Sequence, residues 1–129
     1  MSQPSEPQDR VFALRGAAQA DRNDRESILA TTDALLREMI ARNELAPERM
    51  ISCILTCTDD LDAEFPAVAA RALGLESVPL LCTRELGVAG AMERVIRAMV
   101  HYYAPAGHVP EHTYLGEARR LRSDLHSAQ

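Results

Sequence analysis

Val78-Pro79-Leu80-Leu81-Cys82-Thr83-Arg84-Glu85-Leu86 passes from an apolar run around a proline into three polar residues without a break. The apolar half reads as the start of a buried strand, and the switch at Thr83, Arg84 and Glu85 marks where the chain returns to water. A carboxylate at a strand exit is a candidate site residue. Its meaning depends on which other charges the fold brings beside it.

Working outward, Ile51-Ser52-Cys53-Ile54-Leu55-Thr56-Cys57-Thr58 is a second strand, almost wholly apolar or small, so both of its faces should be covered. Asp59-Asp60-Leu61-Asp62 breaks it, and Pro66 suits the first residue of a helix running to about Leu73 and stopped by Gly74. The acidic cluster lacks the glycine and distal glutamate of a calcium loop, which leaves capping and solvation as its work. Further upstream, Asn23 and Asp24 are helix caps for the period Ile28, Leu29, Leu35, Leu36, Met39 and Ile40, whose polar face carries Arg25, Glu26, Asp33, Arg37, Glu38 and Arg42. The first strand, residues 11–15, ends at Gly16 and places Phe12 and Leu14 on one side and Val11, Ala13 and Arg15 on the other.

Downstream, Gly87-Val88-Ala89-Gly90 is a turn. Residues 92–103 fit two periods: helical spacing groups Val95, Met99 and Tyr102, whereas alternation separates Ile96, Ala98, Val100 and Tyr102 from Val95, Arg97, Met99 and His101. Enrichment in valine, isoleucine and tyrosine tilts the balance to strand. Pro105, Gly107 and Pro110 form a loop before His112-Thr113-Tyr114-Leu115 and a basic run with Arg119, Arg120 and Arg122. The order strand, helix, strand, helix, strand, strand predicts an α+β fold, one sheet with helices on one face. Its other face is too apolar for open water, and self-association is the economical cover.

A chain of 129 residues is long enough for one domain with a real core. Residues 11–122 are read as that domain, with a flexible tail at 1–10 and a mobile one at 123–129. Residues 1–10 hold two prolines, two serines and two glutamines and no apolar signal core, so secretion is not expected and the expected home is cytoplasmic. No apolar run reaches the roughly 18 to 20 residues of a membrane helix. A net charge of −5 and a pI near 5.3 argue against nucleic acid or an anionic membrane as partner. Cys53, Cys57 and Cys82 form neither a CxxC pair nor an even framework and read as reduced, mostly buried thiols.

Other chemistries find little footing. His108 and His112 are four apart, but Pro110 lies between them and no HExxH surrounds them, so no metal is expected. Glycine-rich phosphate loops and a GxSxG elbow are both missing, and Cys82 has no histidine in its motif; neither a nucleotide cofactor nor a covalent mechanism is indicated. Arginines remain. Arg15, Arg71, Arg97 and Arg122 lie in or beside apolar segments, where a guanidinium is costly unless an anion meets it. Each could pair with an internal carboxylate; Arg15 and Arg97 on strands beside Glu85 favour a site for a dicarboxylate or similar anion.

Taken together, Leu14-Arg15-Gly16-Ala17, Thr58-Asp59-Asp60-Leu61 with Phe65-Pro66-Ala67, Val78-Pro79 through Glu85, Val95-Ile96-Arg97, His112-Thr113-Tyr114-Leu115 and Leu121-Arg122-Ser123-Asp124-Leu125 resemble the monofunctional bacterial chorismate mutases of the AroH class. The resemblance spans residues 11–129. It implies a mixed sheet with helices on one face, a ferredoxin-like or chorismate-mutase-like sandwich, assembled as a homotrimer that forms a pseudo-α/β barrel with active sites between subunits. It also implies that residues 92–103 are strand. The implied reaction is the cofactor-free pericyclic rearrangement of chorismate to prephenate in phenylalanine and tyrosine biosynthesis.

Site roles follow from the same resemblance. Arg97 matches the cation set against the breaking ether oxygen, Arg15 and Tyr114 the residues that hold a substrate carboxylate, and Glu85 the carboxylate that accepts the ring hydroxyl. Leu81, Cys82 and Thr83 match the cleft wall beside Glu85. Phe65 and Arg71 match positions that reach the cleft from the adjoining subunit, and Leu121 and Arg122 a segment that orders over bound ligand. Sandwich-like trimers with carboxylate-binding arginines also include Rid-type imine and enamine deaminases, and a non-catalytic trimeric metabolite-binding protein would share the fold; the order of motifs resembles the mutases.

Overall fold

The computed structural model describes residues 8–122. In chain order these form β1 (Asp9–Gln19), α1 (Arg25–Asn43), β2 (Met50–Cys57), α2 (Ala67–Ala70), β3 (Leu80–Arg84), β4 (Val95–Pro105) and β5 (Thr113–Tyr114). Most of the two expected tails lies outside the described residues, and β1 starts two residues ahead of the expected Val11. The strands make one mixed sheet in the order β3-β2-β4-β1-β5. β4 runs antiparallel to both of its neighbours, while β3 is parallel to β2 and β5 to β1. Four strands therefore point one way and the central strand the other. The element order departs from the βαββαβ of a ferredoxin-like sandwich, because both helices precede β3.

Residues 95–105 are strand, as the alternation favours. Ile96, Ala98, Val100 and Tyr102 are buried while Arg97, Met99 and His101 are only partly so. Ala98, Val100 and Tyr102 join Leu14, Ala18, Cys53 and Leu55 beneath Leu35, Leu36 and Met39 of α1 and Ala67 and Ala70 of α2, while Ile96 packs with Ala20, Ile28, Cys57 and Leu61. Both helices thus cover one face of the sheet. Helix α1 begins at Asp24, whose carboxylate accepts the Ser27 N–H at 2.8 Å, a cap contributing about 1 kcal/mol. Its polar face carries Asp33–Arg37 and Glu38–Arg42 pairs one turn apart. At its far end the Asn43 side chain donates to the Glu111 carbonyl at 3.1 Å and accepts the Glu111 N–H at 2.7 Å, tying the helix to the approach to β5.

Several expectations from sequence are corrected. Gly16 does not end the first strand, which runs on to Gln19. A Cβ there would stand 2.6 Å from Met39 Sδ and 3.0 Å from the Thr113 carbonyl, so this glycine exists to let α1 and β5 close on β1. The stretch around Leu81 is an edge strand rather than a buried one. Among the described residues it pairs only with β2, and Leu81 is 61% exposed. Strand β2 is covered by helices on one face alone; Ile51 is exposed, and Ser52, Ile54 and Thr56 are only partly buried. The helix after Pro66 runs as expected to Leu73, its α-helical part Ala67–Ala70 passing into a wider π turn, Arg71–Leu75, that Gly74 breaks at φ 100°. Among the described residues no helix is long and apolar enough to cross a membrane.

Gly16→Ala is expected to lower the unfolding free energy by about 1–3 kcal/mol, the usual cost of overpacking a closed contact. Urea denaturation followed by circular dichroism checks it, and an unchanged midpoint would mean that α1 does not press on β1 as described.

Candidate active site

Residues directly opposite one another in neighbouring strands share a face. At the level of Arg97 the register runs Thr83, Thr56, Arg97, Ala17, Tyr114 from β3 to β5; one step along it runs Leu81, Ile54, Met99, Arg15. Both rows lie on the face away from α1 and α2. The antiparallel course of β4 brings its first residues to the end of the sheet where β2 and β3 finish, which sets Arg97 near the segment that carries Glu85.

Glu85 follows β3 immediately, and its N–H donates to the Cys57 carbonyl at 2.8 Å, extending the β2–β3 ladder by one rung. Its carboxylate meets Arg97 through Nε, which lies 3.1 Å from each oxygen, and Oε2 also accepts the Thr56 hydroxyl. Arg15, Ile54, Thr56, Glu85, Arg97 and Tyr114 line one cavity of about 320 Å³, together with Met99 and His101. Its polar groups are two guanidiniums, a carboxylate, a phenol, an imidazole and a hydroxyl, and the rest of its wall is apolar.

Two features beyond the cavity fix these groups. Arg94 has φ 53°, unusual for a side-chain-bearing residue, and its N–H donates to the Asp60 carboxylate at 2.9 Å. Its Nε donates to the Ala20 carbonyl at 2.9 Å, and the Thr58 hydroxyl accepts the Val95 N–H at 3.0 Å. The ends of β1 and β2 are thereby locked to the start of β4, three residues before Arg97. On the other side, His112 Nδ1 accepts the Arg15 N–H at 3.0 Å. Burial and the positive charges of Arg15 and Arg122 hold the His112 pKa below its usual value, which favours the neutral acceptor form.

The remaining expected site residues divide. Leu81 and Thr83 lie on the open face of β3. Cys82 points the other way and packs against the main core. Phe65, 69% exposed, borders a second hollow of about 490 Å³ with Cys57, Asp62, Glu64, Cys82, Thr83 and Arg84. Arg71 is exposed on the turn after α2. Within one chain, then, Phe65 and Arg71 do not join the residues around Arg97. Leu121 packs on Ala17, Val95, Tyr114 and Ala118, so the C-terminal turn folds over the open face at the Tyr114 end. Ser123, Asp124 and Leu125 lie outside the described residues.

The three cysteines are free. Burial pushes the Cys53 thiol up to about 12 and the Cys57 thiol up to about 11, far from the thiolate a nucleophile needs. The acidic residues of 59–62 serve as anchors: Asp60 on Arg94, Asp62 accepting from Asn23 at 2.8 Å, and Asp59 with Arg84 at 3.6 Å. Thr56 also lines the cavity, a place that no local sequence pattern marks. Its signal was faint, since only the pairing register shows that it stands between Thr83 and Arg97.

Such a cavity suits a small molecule with anionic and hydroxyl groups around a compact apolar frame, held by fixed charges. The whole of residues 11–125 matches the family model described as chorismate mutase type I. Chorismate mutase AroH of Thermus thermophilus is 42% identical over 122 residues, covering 92% of this chain and 99% of that protein. The Bacillus subtilis (strain 168) chorismate mutase AroH is 38% identical over 118 residues, covering 89% and 92%. A solved structure of a chorismate mutase from Clostridium thermocellum superposes with a TM-score of 0.80 at 40% identity, covering 84% of this chain and 98% of the other. The fold is that of a small mixed-sheet isomerase. The chain belongs to the type I chorismate mutase family.

Proposed function

We propose that this chorismate mutase binds chorismate in the cavity lined by Arg15, Glu85, Arg97 and Tyr114 and rearranges it there to prephenate. The observation that carries the reading is the side-on pair of Glu85 with Arg97 Nε in a cavity whose other cation is Arg15. In the reaction an ether C–O bond breaks as a C–C bond forms within one molecule. No proton, electron or group leaves, so the protein has to select the compact conformer and stabilise separating charge.

Arg97 faces the ether oxygen as negative charge grows on it. A fixed donor in a water-poor site lowers such a barrier by about 3–4 kcal/mol or more. Glu85 accepts the ring hydroxyl and balances the positive charge that develops on the carbon frame. Arg15 and Tyr114 hold a carboxylate, with Leu121 and Arg122 closing over it from the C-terminal turn. Leu81, Cys82 and Thr83 form the wall beside Glu85, with Cys82 acting through packing because its side chain faces the core. No cofactor or metal enters this scheme.

The working assembly is a homotrimer of cytoplasmic chains whose open sheet faces meet. Supporting it are the uncovered apolar residues on that face, Val11, Leu81 and Tyr103 among them, and the separation of Phe65 and Arg71 from the Arg97 cavity within one chain. A neighbouring subunit supplies Phe65 and Arg71 to complete each cleft.

In metal-free buffer the protein is expected to consume chorismate, followed by loss of its absorbance. Folded Arg97→Lys is expected to lose at least about a hundredfold in kcat, because a compact ammonium cannot reproduce the planar guanidinium that meets Glu85 through Nε while presenting its Nη groups to the cleft; near-normal turnover would remove Arg97 from its role. Sedimentation equilibrium is expected to give three times the 14.2 kDa chain mass. A stable active monomer would contradict the shared cleft.

A further inference from the structure

Arginine and carboxylate side chains commonly meet fork to fork, in two parallel N–H···O bonds. Glu85 and Arg97 do not. The carboxylate straddles a single nitrogen, Nε, at 3.1 Å from both oxygens. Among the described residues, the second group on this carboxylate is the Thr56 hydroxyl, which donates to Oε2. Thr56 stands directly across β2–β4 from Arg97 and across β2–β3 from Thr83, on the same face and within the same cavity. Because threonine is branched at Cβ, its hydroxyl has few staggered positions, and the strand holds it still. The Glu85 main chain is fixed from the same strand through the Cys57 carbonyl.

We propose that Thr56 is a positioning residue for the reaction: its hydroxyl holds Glu85 side-on to Arg97 Nε, and so keeps both Nη groups of Arg97 for the substrate oxygen. This deepens the reading of the Arg97 cavity as the reaction site and rests on it. Without the hydroxyl, Glu85 Oε2 loses its anchor on β2, and the carboxylate is free to turn and engage an Nη group. That removes a donor from the position where charge develops and moves the Glu85 oxygen that receives the ring hydroxyl. The loss falls on the transition state, where the separated charge is largest, more than on substrate binding.

Thr56→Val keeps the shape of the side chain and removes the donor; Thr56→Ser keeps the donor. Chorismate turnover by Thr56→Val is expected to show kcat lowered about tenfold, the scale of one hydrogen bond to a charged group, with KM changed less than about threefold. Thr56→Ser is expected to stay within about twofold of the unaltered protein. Thr56→Ala, an independent variant should valine fold poorly, is expected to match the valine result, with the thermal midpoint confirming that the fold is kept. Valine or alanine variants with unaltered kcat, a serine variant as impaired as valine, or a loss confined to KM would each overturn the inference. The unaltered protein's own turnover of chorismate decides the site reading separately. An active parent with an indifferent Thr56→Val therefore removes this inference alone.

Discussion

Arg97 is a cation on the open face of a strand whose other face, Ile96, Ala98, Val100 and Tyr102, is buried, and the fold is arranged so that this charge is met by Glu85. A guanidinium drawn partly out of water on a sheet costs several kcal/mol unless an anion and hydrogen-bond acceptors stand beside it. Glu85 can do so only because β4 runs against the other four strands. That reversal puts the start of β4 beside the ends of β2 and β3, and the Cys57 carbonyl then fixes the first residue after β3. The Arg94 turn, strained at φ 53° and held by Asp60, sets where β4 begins. A slip of one residue there would send Arg97 into the core.

The same geometry separates duties between the two faces of the sheet. On one face Leu14, Leu55, Ala98, Val100 and Tyr102 pack under α1 and α2 and account for the stable core. The other face alternates the functional side chains with apolar ones, leaving a surface that a second and third copy can cover. Rigid cations in that setting do for a rearrangement what acids and bases do for proton transfers.

Much of this was legible along the chain. Phe12 and Leu14 alternate against Val11 and Ala13, the α1 face repeats at helical spacing, and Asp24 caps it. Legibility failed where long-range pairing decides the meaning of a residue. Gly16 looks like a strand end because a glycine punctuates turns, yet its role is set by Met39, 23 positions away in sequence and pressed against it. Leu80 and Leu81 look buried because they are leucines, although an edge position exposes one of them. Periodicity left residues 92–103 between helix and strand. Thr56 carries no local mark of importance, since its partner Glu85 and its neighbour Arg97 become adjacent only once three strands are in register. Arg15, Glu85 and Arg97 stand out along the chain because charged side chains on apolar strands are conspicuous, whereas Tyr114 stands out only through a block that resembles a known family.

The most direct measurement is a crystal structure of the protein with prephenate bound. The account predicts one product carboxylate within hydrogen-bond distance of Arg15 and Tyr114, the ring hydroxyl on Glu85, and the carbonyl oxygen released from the ether facing Arg97, with Phe65 of a neighbouring subunit against the ring. Prephenate seated in the hollow beside Phe65 of the same chain and away from Arg97, or bound with a carboxylate in the place assigned to the ether oxygen, would contradict it.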